Sequence, residues 1–215
     1  MRFRIDLKIF LFIILFCISK QIEIYVIMII FAFLHEIGHL IAGIILGLKP
    51  EKIEIIPVGL TVSFKVDIEG INKKKKNGNM FVIKEIIVAI AGPIVNLLIF
   101  IITSLNAEKT YLNNLIMYSN LLIFIFNLIP IYPLDGGRIL KGILHILFGK
   151  KVANKICYDA SIIISIIFTA VCSIAILYYK NIAILLINIY LWIIVLREIK
   201  VYTNIKKITK QADIK

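Results

Sequence analysis

Cysteine is scarce in this chain. There are three, Cys17, Cys157 and Cys172, widely spaced and in or near apolar runs. They make neither a disulfide framework nor a CxxC metal site. Histidine is equally scarce, at three residues of 215. Acidic residues number 13 against 25 basic ones, for a formal net charge of +12. That surplus does not signal nucleic acid. An Arg-rich stripe and an aromatic ladder are both missing, and the basic residues sit in loops and tails between apolar runs. The basic start, Met1 to Lys8, precedes an apolar run at 9–19. No small-x-small cleavage site follows that run, so it does not read as a signal peptide. Long polar stretches are missing as well, and a separate soluble domain does not fit between the apolar runs.

What fills the chain instead is hydrocarbon. Hydrophobic residues make up 60% and mean hydropathy is +0.97, where a soluble domain has roughly 45–50% apolar residues. The expected fold class is an all-α polytopic membrane protein with about six transmembrane helices. The apolar runs put them near 5–20, 22–48, 81–104, 111–129, 159–178 and 182–196. Between the second and third runs, Leu60, Val62, Phe64, Val66 and Ile68 alternate with Thr61, Ser63, Lys65, Asp67 and Glu69. Period two predicts a half-buried strand. Ile53 and Ile55, with turn residues Pro57 and Gly59, predict its partner. The pair reads as a small β-hairpin or sheet at the cytoplasmic membrane surface, followed by a solvated basic loop at Lys73–Lys76. Residues 1–200 are expected to form one six-span domain and 201–215 a short basic cytoplasmic tail, with no CBS or PDZ domain.

Charge sets the orientation. With six spans and a cytoplasmic N-terminus, segments 1–8, 49–80, 130–158 and 197–215 face the cytoplasm and hold most of the Lys and Arg. The opposite connections hold only Lys20, Lys109 and Lys180. The positive-inside rule then puts both termini in the cytoplasm of a multi-pass cell-membrane protein.

One apolar run carries the sequence His35-Glu36-Ile37-Gly38-His39. Histidines four apart share one face of a helix, one turn apart, where they can hold one metal ion. A glutamate beside them suits proton transfer to and from a water. Ionisable groups at bilayer depth are costly and mark a functional site. His39 lies nine residues before Leu48, or roughly 13 Å from the cytoplasmic end at 1.5 Å per residue. A catalytic zinc needs a third protein ligand and one open position. His145 sits in a basic amphipathic segment and reads as a surface residue. Asp135 is the better candidate, in the Pro- and Gly-rich break Asn127-Leu128-Ile129-Pro130-Ile131-Tyr132-Pro133-Leu134-Asp135-Gly136. Taken alone, Asp135 is equally well read as a helix cap or as a partner of Arg138. Ala91-Gly92-Pro93-Ile94-Val95-Asn96 lies inside another span, either as a packing kink or with a direct role for Asn96.

Together these motifs resemble the site-2 protease family of intramembrane zinc metalloproteases, over about residues 20–140. The compact layout is most similar to the stage IV sporulation protein FB type. The resemblance implies Zn2+ held by His35, His39 and Asp135, with Glu36 as catalytic base. Asn127 or Asn96 would supply an oxyanion donor, orient the substrate, or equally make a helix–helix hydrogen bond. It also implies a membrane-associated protein substrate such as a pro-sigma factor, and inhibitory or regulatory membrane proteins as partners beside the bilayer itself. A zinc transporter or sensor is a second reading. The fifth and sixth apolar runs hold no ionisable residue in their interiors, which counts against a transport path. An inactive homologue acting as a membrane chaperone is a third, and the retained Glu36 counts against it.

Overall fold

Arg2-Phe3-Arg4-Ile5 opens the chain as a strand, β1 (Arg2–Ile5), which the reading of 5–20 as a first span missed. In the computed structural model the described residues are 2–5, 8–18, 21–56, 59–64, 75–106, 110–179 and 182–212. Pro57, Lys20, Lys109, Lys180, residues 65–68 of the expected strand and 73–74 of the basic loop lie outside them. The chain divides into two units, Met1–Ile129 and Pro130–Lys215.

In the first unit, β1 pairs in parallel with β2 (Pro50–Ile56), and β2 pairs antiparallel with β3 (Gly59–Phe64). The expected hairpin is therefore two strands of a three-stranded sheet, in the order β1-β2-β3. The alternation of basic and apolar residues at 2–5 was the readable signal for the third. Helix α1 (Lys8–Ile18) has 11 residues, about 16 Å of rise against a hydrocarbon core of about 30 Å. Phe16 stacks on Tyr25 with ring centroids 4.5 Å apart, joining α1 to α2 (Ile22–Ile45).

Gly47 terminates α2. Its φ of +76° suits a residue without a Cβ. Gly47 N donates to Ile44 O and Leu48 N to Gly43 O, each at 2.9 Å, the bonding pattern of a Schellman stop. Lys84, on α3 (Lys75–Leu105), donates from Nζ to Leu46 O at 2.7 Å. A cation at that end also suits the negative pole of the α2 dipole. The helix runs through Gly92-Pro93, as the expected span at 81–104 requires. Small residues let α2 and its neighbours approach closely. A Cβ on Gly38 would stand 2.7 Å from Val95 Cγ2 and 3.0 Å from Ala91 O, and one on Gly43 would overlap the Phe64 ring of β3. The remaining helix of this unit, α4 (Tyr111–Leu128), is capped by Thr110, whose side chain accepts from Asn113 N at 3.2 Å.

The second unit holds α5 (Asp135–Phe148), α6 (Lys150–Tyr179) and α7 (Ile182–Ala212). Helix α6 starts nine residues before the expected Asp159, and α7 continues as helix through the basic residues 200–212. Polar groups join α6 to α7. Thr169 Oγ1 donates to Ser165 O (2.8 Å) and accepts from Trp192 Nε1 (2.7 Å), with Asn188 Oδ1 3.2 Å away.

Among the described residues, four helices are long and apolar enough to cross a membrane: Ile22–Ile45, Asn79–Leu105, Tyr111–Leu128 and Lys150–Tyr178. Helix α1 is too short by this measure. The fold is that of a mostly helical, multi-pass membrane protein.

Candidate metal centre

The first unit contributes the two histidines. His35 and His39, one turn apart on α2, are each 3% exposed. Their surroundings determine which ring nitrogen carries the proton. His39 Nδ1 lies 2.6 Å from Val88 O on α3. A carbonyl can only accept, so Nδ1–H donates to it. Gly92 N–H also comes within 3.3 Å of that nitrogen, but a protonated Nδ1 cannot accept, and the shorter contact decides. His35 Nδ1 lies 2.6 Å from Asn96 Oδ1, another acceptor. Both rings thus donate from Nδ1, and their Nε2 atoms face each other at 3.1 Å.

This arrangement fits zinc. Two ring nitrogens at that separation need a proton or a metal cation between them. Nitrogens bound at 2.0–2.1 Å to a tetrahedral ion stand roughly 3.3 Å apart, close to the 3.1 Å here. A carbonyl or amide oxygen on the other ring nitrogen is also the usual support for a metal-bound imidazole. Gly92 makes the room: a Cβ there would overlap Cε1 and Nε2 of His39 and stand 2.7 Å from Nε2 of His35. Glu36 follows His35 on α2 and is half-buried.

The asparagines differ in their roles. Asn96, anticipated at the substrate or oxyanion, is fully enclosed at 0% exposure. Its Oδ1 accepts from His35 Nδ1, and its Nδ2 donates to Asn120 Oδ1 (2.9 Å) and toward Phe31 O (3.4 Å). That leaves it supporting an imidazole rather than reaching a substrate. Asn127 Nδ2 donates to Ile123 O, one turn back on α4, at 3.0 Å, and the residue is half-buried. Asn120 went unnoticed in the sequence. The available signal was a second asparagine seven residues before Asn127, on the same face of an apolar helix.

The second unit contributes Asp135, the first residue of α5, 5% exposed. Leu134 is the N-cap, and Asp135 lies in the first turn, where its negative charge suits the helix dipole. Arg138 Nη1 approaches Asp135 Oδ1 at 3.5 Å, a long contact on a side chain that is one-third exposed. The loop ahead of Asp135 is held in several ways. Tyr132 N donates to Ser161 Oγ (2.8 Å), Leu134 N to Ile131 O (2.8 Å), and Lys141 Nζ lies 4.2 Å from the Tyr132 ring centroid. Gly137 is required there, since a Cβ would overlap the backbone of Ile131 and Tyr132. His145 is ten residues further along α5, about 15 Å of helix. Burial, then Lys150 and Lys141, lower its pKa from the ordinary 6.5.

Comparison with known proteins points the same way. Residues 103–172 match Peptidase family M50, a stretch that contains Asp135. A zinc metalloprotease of Methanocaldococcus jannaschii is 32% identical over 139 residues, 61% of this chain and 37% of that protein. Stage IV sporulation protein FB of Bacillus subtilis is 28% identical over 123 residues, 55% of this chain and 38% of that protein. The chain thus spans well under half the length of these curated relatives. In structure, the site-2 protease from Methanocaldococcus jannaschii matches with a TM-score of 0.66 at 24% identity, over 90% of this chain and 88% of that one. That likeness is one of fold.

Proposed function

We propose that this chain, similar in sequence to peptidase family M50 and in fold to a site-2 protease, is an intramembrane zinc metalloprotease. It hydrolyses a peptide bond in or near the membrane segment of a membrane-associated protein. His35 and His39 of the first unit and Asp135 of the second are the zinc ligands. The observation that carries this reading is the pair of imidazoles that donate from Nδ1, Nε2 facing Nε2 at 3.1 Å, beside a glutamate.

Zinc, when bound, polarises the scissile carbonyl and lowers the pKa of a water to about 7. Glu36 accepts the proton of that water and passes it to the leaving amine. Val88 O and Asn96 Oδ1 hold the two rings in ligating orientation throughout. The Asn127 amide, with its Nδ2 on Ile123 O, presents Oδ1 to a backbone N–H of the substrate.

The charge distribution supports both termini cytoplasmic and the site nearer the cytoplasm. Similarity to stage IV sporulation protein FB supports a pro-sigma factor as substrate and inhibitory membrane proteins as regulators. Changing Glu36 to Gln tests the chemistry. Zinc content should remain and cleavage of a membrane-tethered substrate should vanish. Cleavage that survives would sink the protease mechanism and favour transport or sensing.

A further inference from the structure

Asn120 lies in the middle of an apolar helix at 0% exposure. An asparagine at such a depth can satisfy itself locally, as Asn127 does by donating to the carbonyl one turn back. Asn120 makes the same bond, Nδ2 to Ile116 O at 2.9 Å. That bond has a consequence that Asn127's does not. A carbonyl can only accept, so the amide end of Asn120 is fixed on Ile116 and its Oδ1 must point the other way, at Asn96 Nδ2 (2.9 Å). An oxygen there requires that Asn96 present its NH2. The second contact of that NH2, to Phe31 O at 3.4 Å, makes the same demand. Asn96 Oδ1 is thereby turned to His35 Nδ1, 2.6 Å away.

We infer that Asn120 is a positioning residue of the metal centre, acting through Asn96 to hold His35 in the Nδ1–H tautomer that leaves Nε2 able to ligate. The inference rests on the zinc-site reading for His35. The relay runs from Ile116 to Asn120, Asn96 and His35, crossing three helices, and every link is fixed by which group can donate. Without Asn120 Oδ1, only the long 3.4 Å contact to Phe31 O holds the Asn96 NH2, and the amide can turn over to present NH2 to His35 Nδ1. That favours the Nε2–H tautomer, which cannot bind metal through Nε2. His39 is independent of the relay, because its Nδ1–H bonds a backbone carbonyl that cannot flip.

The test uses the full chain in lipid nanodiscs, with Asn120→Leu and Asn120→Asp beside wild type. Zinc affinity is measured against a competing chelator, and imidazole 15N shifts are recorded on metal-free protein. Loss of a group that supports a metal ligand typically costs 10–100-fold in affinity, and Asn120→Leu should fall in that range. Its 15N spectrum should show Nε2–H character at His35 and none at His39. Asn120→Asp keeps an oxygen facing Asn96 Nδ2 and should restore both readouts toward wild type. Equal loss in the two variants, or an unchanged His35 tautomer in Asn120→Leu, would overturn the inference. If wild type holds no zinc, or His35→Ala leaves its affinity unchanged, the zinc-site reading falls. The 15N shifts then decide the positioning of His35 on their own.

Discussion

In Gly92→Ala, one methyl group is added where two imidazoles already sit. The new Cβ would overlap Cε1 and Nε2 of His39 and lie 2.7 Å from Nε2 of His35, where ordinary contact begins at 3.4 Å. His35 Nε2 alone must therefore retreat by about 0.7 Å, against a tolerance of about 0.2 Å in a metal–ligand distance. Neither ring can swing aside at low cost, since each is tethered through Nδ1 by a 2.6 Å bond, to Asn96 Oδ1 or Val88 O. Overpacking of this kind costs about 1–3 kcal/mol, so the variant should still fold with a lowered melting temperature. Misplacing the donors should reduce zinc affinity and cleavage by about 100-fold or more. The assay is chelator competition and cleavage of a membrane-tethered substrate, with thermal melting on the same preparations. Gly47→Ala is the control. Its Cβ would meet nothing within 4 Å, and only its φ of +76° is unfavourable. It should lose about 1–2 kcal/mol of stability and keep its zinc. Zinc binding in Gly92→Ala within a few-fold of wild type would refute the idea that this glycine is the floor of the site.

The other expectations are smaller. Glu36→Gln should keep zinc and lose cleavage, as set out above, and the Asn120 pair should separate in affinity and tautomer. Gly137→Ala would drive a Cβ into the Ile131–Tyr132 backbone, reopening the loop that carries Asp135. Zinc affinity should drop by at least 10-fold, and a wild-type value would show that the loop has slack. His145 has a pKa below its ordinary 6.5, chiefly through burial. Unfolding then takes up a proton, so stability is lost as pH falls from about 6.5 through the folded-state pKa. In His145→Gln the melting temperature should depend less on pH below 6.5, with zinc and cleavage unchanged. A loss of zinc in that variant would contradict the assignment of His145 as a surface residue.

Much of this protein was legible in its sequence because the relevant patterns are local. Apolar runs of bilayer length follow from the need to bond every backbone group internally in hydrocarbon. The spacing of His35 and His39 specifies a shared helix face whatever surrounds it. The Pro- and Gly-rich break before Asp135 announces a turn at a helix end. The Glu36 and Asp135 assignments came from chemistry and resemblance, and they remain for experiment.

Tertiary structure decided what depends on partners distant in the chain. The strand at Arg2–Ile5 exists because β2 offers an edge some 50 residues away, and four residues of alternation could not reveal that partner. Pro93 lies inside α3, as the apolar run at 81–104 required. The glycine beside it matters for the absent side chain rather than for a kink. Asn96 was open between a direct role and a helix–helix bond, and only the fold shows Asn120 and His35 at the two ends of its amide. Spacing places two imidazoles on one face, but only a bond at each Nδ1, made by groups 49 and 61 residues away, selects the nitrogen left open for a metal.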